Sequence, residues 1–192
     1  AGLAAATLAV GMHANVQIFD KNLDRLRFID HHFRGEVETV MSSAHTVEEA
    51  CLKADIVIGA VLVVGAKAPR LVSNELVSRM RPGSVLVDIS VDQGGCFEAT
   101  RPTTHSNPVF EQDGCIFYCV ANMPGAVPHT STHALANATL PYVVSLARHG
   151  WRDAVRRDAA LAEGVNVVNG QLTYGPVGEA HGLSSVDLSS LL

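Results

Sequence analysis

Three observations predict an α/β fold built on a doubly wound parallel sheet. Short runs rich in Val and Ile, at residues 16–19, 55–62, 85–89 and 116–120, have the near-continuous apolar character of strands buried on both faces. Segments of helical periodicity or composition lie between most of them, the spacing of a sheet wound with crossover helices. The run at 85–89 then breaks on Asp92-Gln93-Gly94-Gly95. An acid and a glycine pair at the carboxyl end of a buried strand stand where open α/β sheets place their ligands, because glycine lets a ligand approach the backbone. Asp92 is thus the leading candidate for a working carboxylate. On local pattern alone it could equally cap the turn before the glycines.

The totals are consistent with this. A chain of 192 residues holds one domain with a full core, or one domain and part of another. Hydrophobic residues make up 47% and charged residues 17%, which predicts a globular, soluble protein rather than a disordered one. A formal net charge of -5 argues against a nucleic-acid partner. The longest apolar run, 56–64, is interrupted by Gly59 and falls well short of the ~20 residues a membrane helix needs. No basic region precedes the first apolar stretch, so no signal peptide is expected. The cysteines are Cys51, Cys96, Cys115 and Cys119. Four residues of strand would separate Cys115 from Cys119 by roughly 13 Å, whereas a disulfide needs Cα atoms within about 7 Å. With no C-x-x-C pair present, reduced thiols serving as small hydrophobes in a cytoplasmic protein are the expectation.

In order, the chain opens on the helix-forming stretch Gly2-Leu3-Ala4-Ala5-Ala6 and turns into a strand ending at Asp20. A helix, a turn and a strand ending in an acid resemble the second half of a dinucleotide-binding βαβ unit. There an acid about 20 residues past the glycines holds the ribose hydroxyls. Asp20 has that offset from Gly2, which would be the last glycine of the fingerprint. Leu23, Leu26 and Ile29 mark an amphipathic helix over 21–32, capped by Asn22. A short strand at 36–41 follows, then a helix from Thr46, where Thr46-Val47-Glu48-Glu49 has the form of a capping box. After the strand at 55–62 come a loop at 64–69, a helix near 73–80 and a turn at Arg81-Pro82-Gly83-Ser84 into the strand at 85. The last strand ends in Ala121-Asn122-Met123-Pro124. A long apolar helix over 130–149 should kink at Pro141 or lose one hydrogen bond there. A helix at 151–163 and a hairpin at 165–174 turning on Asn169-Gly170 complete the chain. A hairpin does not continue a parallel sheet, so a boundary falls near Pro128. Domains of 1–128 and 129–192 are the result.

The blocks VIGAVLVVGAKAPRLVSNELV, VLVDISVDQGGCFE, RPTTHSNPVF and FYCVANMPGAVPHTSTHALANATLPYV resemble bacterial alanine dehydrogenase, and the likeness runs from Ala1 to about Leu183. The resemblance implies a Rossmann-like NAD-binding domain with its first strand missing, followed by a helix and hairpin of a second, substrate domain. The implied reaction is the reversible, NAD-dependent oxidative deamination of L-alanine to pyruvate and ammonia. By position, Asp20 would bind the adenosine ribose, with Arg25 at the same end, Ser42 on the adenine side, and Val61 and Leu62 lining the adenosine pocket. Ile89, Ser90, Val91, Asp92, Arg101, Val120, Ala121, Asn122 and Met123 would approach the nicotinamide half, and Asp92 matches the catalytic aspartate. A carboxylate at Asp20 repels a 2′-phosphate, which favours NAD over NADP. Arg101 could equally be a surface or interface charge.

The departures from the family are specific. Its substrate-binding arginine and lysine, its catalytic histidine and its earlier phosphate-binding glycines have no counterpart in this sequence. The chain therefore resembles the carboxyl-terminal portion and is expected to be inactive alone. Val64 stands where a proline is usual. Some members bind magnesium through Glu and His four apart on the long helix; here those positions hold Ser145 and His149, so no metal is expected. His129 and His133 have zinc-helix spacing without the acid between them. Lys67 sits in a glycine-bearing loop that lacks the phosphate-binding pattern. The resemblance also implies a homo-oligomer, commonly a hexamer. The alternative is a non-catalytic NAD-binding module such as the nucleotide domain of a transhydrogenase subunit, which the Asp-Gln-Gly-Gly-Cys-Phe-Glu block disfavours.

Overall fold

The computed structural model describes residues 1–63 and 68–192; the expectations for Val64 and Lys67 lie outside the described residues. Two compact units emerge, one of Ala1–Leu62 with Ala68–Asn122, the other containing Met123–Leu192. The first is α/β with parallel strand pairing, as the sequence predicts.

In the first unit, α1 spans Gly2–Gly11, β1 Gln17–Asp20 and α2 Leu23–Phe33. Asn22 starts α2 as expected: its side-chain oxygen accepts from the backbone N–H groups of Asp24 and Arg25 at 2.9 and 3.1 Å. Leu26, Ile29 and Phe33 form its buried stripe. β2 (Glu38–Met41) pairs in parallel with β1, so Asp20 lies opposite Met41. The next helix, α3 (Ala44–Cys51), begins earlier than the sequence suggested. Ser43 is the cap and Thr46 the third helical residue, each side chain bonding the other's backbone N–H. The expected box on Thr46 and Glu49 is therefore replaced by one three residues upstream, where the extended Ser43 backbone leaves its hydroxyl free to cap. β3 (Ile56–Gly59), α4 (Asn74–Ser78, capped by Ser73), β4 (Val85–Asp88), β5 (Val109–Gln112) and β6 (Cys115–Tyr118) complete the unit.

The strands form two sheets, β1-β2 and β3-β4-β6-β5. β3, β4 and β6 are mutually parallel, and β5 is an antiparallel edge strand on β6 that the sequence reading missed. Its hairpin turns on Asp113-Gly114, both at positive φ (52° and 77°), the conformation a tight two-residue turn requires. The strands thus follow the expected doubly wound fold in two separately hydrogen-bonded groups. Ile56 and Ile58 on β3 are 61% and 42% exposed, against the expectation of a strand buried on both faces. The hydrophobic cores divide the same way. Ala6, Ile29, Phe33 and Val37 pack with Val16 and Ile18 around β1. Val77, Leu86, Cys96, Phe97, Cys115, Phe117 and Cys119 form the core around β4 and β6.

In the second unit, α5 runs from Pro128 to Arg157. Its backbone leaves helical geometry at Gly150 (φ 70°, ψ 163°) rather than at Pro141. Proline keeps a helical φ, whereas glycine alone tolerates this extended positive-φ conformation without strain. The helix expected over 151–163 is interrupted at Asp158, whose carboxylate accepts from Ala160 and Leu161 N–H to begin α6 (Ala159–Glu163). Two short strands, β7 (Val167–Val168) and β8 (Gln171–Leu172), pair about Asn169-Gly170 as expected. Helix α7 (Gly175–His181) and a 3-10 turn at Leu188–Leu191 were not foreseen. No helix among the described residues is long and apolar enough to cross a membrane.

All four cysteines are free and buried. Burial pushes the Cys51 thiol up to about 11; Cys119 is also pushed up to about 11, by burial first and then by the nearby Asp88 charge. The thiolate is the reactive form, so in the folded protein at pH 8 a disulfide-exchange reagent should modify none of the four, and all should react in guanidinium. Rapid modification of Cys51 or Cys119 in the native state would contradict this packing.

Candidate functional site

β4 ends on Asp88, and the chain beyond it is arranged around that carboxylate. Asp88 is fully buried. Its Oδ1 accepts from the backbone N–H of Ser90 at 3.0 Å, and its Oδ2 accepts from the N–H groups of Cys96 and Phe97 at 2.7 and 3.4 Å. Oδ2 also accepts from the Thr100 hydroxyl. The described residues give it no cationic partner, so these donors satisfy a buried anion that would otherwise be costly. Between the first and second of these anchors the chain makes a 3-10 turn over Val91–Gln93 and continues through Gly94 and Gly95 at φ 93° and 80°. Asp92 lies at the outside of this bend, exposed. Among the described residues no hydrogen bond engages its carboxylate. Asp88, not Asp92, holds the turn.

Gly95 has an internal reason to be glycine. A Cβ there would lie 2.3 Å from Thr100 Cγ2 and 2.7 Å from Asp88 Oδ2. The sequence reading gave the glycine pair to ligand approach; at Gly95 the space is filled by the loop closing on Asp88. Gly59, at the end of β3, is equally constrained, since a Cβ would come 2.8 Å from Cys96 Cβ.

The residues expected to approach the nicotinamide half are partly brought together. Ile89 N–H donates to Gly59 O at 2.8 Å and the Ser90 hydroxyl to Val61 O at 2.7 Å, which joins the ends of β3 and β4. Val91 is buried and Leu62 is exposed. Beyond β6, Val120 bridges Thr103, Ala121 N–H donates to Thr103 O at 3.2 Å, and a His105 ring nitrogen lies 3.2 Å from Asn122 O. Arg101 is exposed, with its guanidinium 4.2 Å from the centre of the Phe110 ring. Met123 belongs to the second unit.

Of the residues expected at the adenosine end, Asp20, Arg25 and Ser42 gather at the β1-β2 sheet, whereas Val61 and Leu62 follow β3 in the other sheet. Asp20 is half-buried at the end of β1, where its Oδ1 accepts from Asn22 N–H at 2.8 Å and its carbonyl accepts from Ser42 N–H at 3.0 Å. Arg25, in the first turn of α2, is exposed and lies 5.0 Å over the Phe28 ring rather than pairing with Asp20. Gly2 opens α1, and a Cβ on it would lie 3.3 Å from Ala60 Cβ. Such close helix–strand packing is the role of the third glycine in a dinucleotide fingerprint. His129 and His133 meet edge to face on the exposed start of α5 with ring centres 4.8 Å apart. No group of three or more potential ligands exists among the described residues.

Comparison with known proteins agrees with the α/β architecture. The profile of the family described as "Alanine dehydrogenase/PNT, C-terminal domain" matches residues 1–175, and the chain belongs to that family. It is 54% identical to an alanine dehydrogenase of Mycolicibacterium smegmatis over 192 residues, which is 100% of this chain and 52% of the relative. A solved L-alanine dehydrogenase superposes with a TM-score of 0.81 at 49% identity, covering 93% of this chain and 49% of the other. A transhydrogenase from Sinorhizobium meliloti is more distant, with a TM-score of 0.64 at 28% identity over 74% of this chain and 40% of its own. The chain spans about half the length of the curated relatives it matches.

Sequence reasoning passed over Asp88, Thr100 and Phe110. Asp88 had a readable signal: an acid inside a run buried on both faces must find donors within the protein, whereas the acid beyond the run need not. The Asp113-Gly114 pair likewise announces the hairpin that seats Phe110 under Arg101. Gly95→Ala is expected to destabilise the protein by more than about 2 kcal/mol, because positive φ and overpacking act together. Denaturant unfolding measures it, and an unchanged midpoint would contradict the close packing of Gly95 on Asp88.

Proposed function

We propose that this chain is the carboxyl-terminal, NAD-binding part of an alanine dehydrogenase that converts L-alanine, water and NAD reversibly to pyruvate, ammonium and reduced NAD. The observation that carries the reading is Asp92: an exposed carboxylate with no hydrogen bond from the described residues, on a loop fixed beside it by a buried anion. NAD, when bound, supplies the hydride acceptor. The residues present fit it. Asp20 offers a half-buried carboxylate at a strand end with one oxygen held by Asn22. Arg25 and Ser42 adjoin it in sequence and pairing, and Gly2 allows the close approach of α1 to the end of β3. Val61, Leu62 and residues 89–92, with Arg101 and residues 120–123, supply the remaining contacts.

Asp92 then works on the substrate side. Loss of hydride from alanine leaves an imine that water must attack. A carboxylate beside it can orient that water, take up its proton and offset positive charge on nitrogen. Residues 129–192 belong to a second, substrate-binding domain in this reading, and the remaining substrate ligands come from the other half of the longer protein. A cytoplasmic homo-oligomer, hexameric by resemblance, is part of the same proposal. The transhydrogenase-like alternative is weaker, since Asp92 would have no task in it.

Two substitutions in the full-length polypeptide test the reading. Asp92→Asn is expected to lower kcat by at least about 100-fold, the lower end of the range for a lost acid–base group, with NAD affinity little changed. Asp20→Ala is expected to weaken NAD binding about tenfold, the equivalent of one charge-assisted hydrogen bond, with NADP binding more weakly than NAD to the unmodified protein. Absence of NAD-dependent alanine turnover by the unmodified full-length protein would overturn the assignment.

A further inference from the structure

We propose that Asp88 is a positioning residue for this reaction, acting through Thr100 and the loop between them to fix Asp92 and Arg101. The inference rests on the functional reading above and adds to it a residue that touches neither cofactor nor substrate.

The four donors on Asp88 come from positions two, eight, nine and twelve residues further along the chain. They therefore gather both ends of the 90–100 segment onto one side chain. Asp92 lies two residues after the first anchor, Ser90. Arg101 directly follows the last, Thr100. The two charged groups expected at the chemistry thus stand next to anchors of the same carboxylate. Gly95 reinforces the arrangement, because only a residue without Cβ lets Thr100 approach Asp88. Arg101 has a second support in the Phe110 ring, itself stacked on buried Phe117 at 5.0 Å.

Hydrophobic residues could have filled this volume had packing been the only requirement. A carboxylate instead gives two acceptor oxygens and no donor, which matches a site presenting only N–H and O–H groups. An amide at this position would face N–H groups with an N–H of its own. Asp88→Asn preserves size yet disrupts the anchors. Thr100→Val preserves shape and removes a single donor, and Thr100→Ser keeps that donor.

In the full-length protein, Asp88→Asn is expected to reduce kcat about 100-fold, the effect of misplacing a reacting group by about 1 Å, with a much smaller loss of NAD affinity, since Asp20 on the other sheet still holds the adenosine end. Thr100→Val should lower kcat by about tenfold, one hydrogen bond's worth of orientation; Thr100→Ser should restore it. If Asp88→Asn does not fold, Thr100→Val and Thr100→Ser decide the matter. Folded variants with unmodified kcat overturn the proposal, as does a parallel loss of kcat and NAD affinity, which would mark a purely structural role. If the unmodified protein does not deaminate alanine, the functional reading fails by itself. Amide exchange at Asp92 and Arg101, which do not donate to Asp88, then decides whether Asp88 fixes the two groups: faster exchange in Asp88→Asn at unaltered global stability supports it, and unaltered exchange overturns it.

Discussion

A buried carboxylate to which the described residues give no cation constrains everything near it, and Asp88 imposes that constraint here. Its oxygens are accommodated inside the core because N–H and O–H groups point at them, each hydrogen bond to such a group contributing about 1.5–3 kcal/mol. Supplying them dictates local sequence. Ser90 must turn back immediately after the strand, and the chain must return at Cys96 and Phe97 with their amides directed inward. Thr100 must follow with a hydroxyl, and Gly95 must have no side chain where the two ends meet. Gly59 at the end of β3 answers the same need, since Cys96 packs against it. A strand end, two glycines and a hydroxyl residue thus have one common cause.

A second support runs through aromatic rings. Phe97 meets Phe117 edge to face at 6.1 Å, Phe117 stacks on Phe110 at 5.0 Å, and Phe110 carries the Arg101 guanidinium at 4.2 Å. Phe97 also donates its amide to Asp88. The loop's polar anchor and its aromatic support therefore share a residue in the core of β4 and β6. Cation–π contacts at exposed sites contribute only about 0.5–1 kcal/mol, too little to fold the loop but enough to choose among rotamers of a long side chain. Arg101 is thereby restricted before anything binds.

What the sequence made legible was mostly local. Asn22 caps α2 because its side chain reaches amides two and three residues on, and Asn169-Gly170 makes a hairpin because both residues accept positive φ. Asp20 and Asp92 were legible as strand-end acids because strand ends are visible in hydrophobic pattern. The failures come from relations that pattern does not encode. Thr46 does contribute to a capping box, but as the partner of Ser43, because two overlapping motifs compete and only geometry chooses between them. β3 reads as a buried strand from Ile56-Val57-Ile58, yet apolar composition says nothing about which strands will flank it. Asp88 was passed over, because the donors that explain it lie up to twelve residues away.

Two groups of candidate residues rest on different buried clusters. Asp20 and Ser42 rest on β1 and β2 and the cluster of Ile29 and Phe33; Asp92 and Arg101 rest on β4, β6 and the cluster of Phe97 and Phe117. Among the described residues the two clusters share no buried member. Groups supported independently act nearly additively, whereas groups sharing one support are coupled. In an enzyme whose cofactor is held at its far end by one set of residues and whose chemistry is aligned by another, affinity and rate can be tuned apart. Binding energy gathered at the adenosine end is available to hold the reacting end against a loop that is already fixed. On the positioning role proposed for it, Asp88 serves the second task, since its hydrogen bonds fix the loop that carries Asp92.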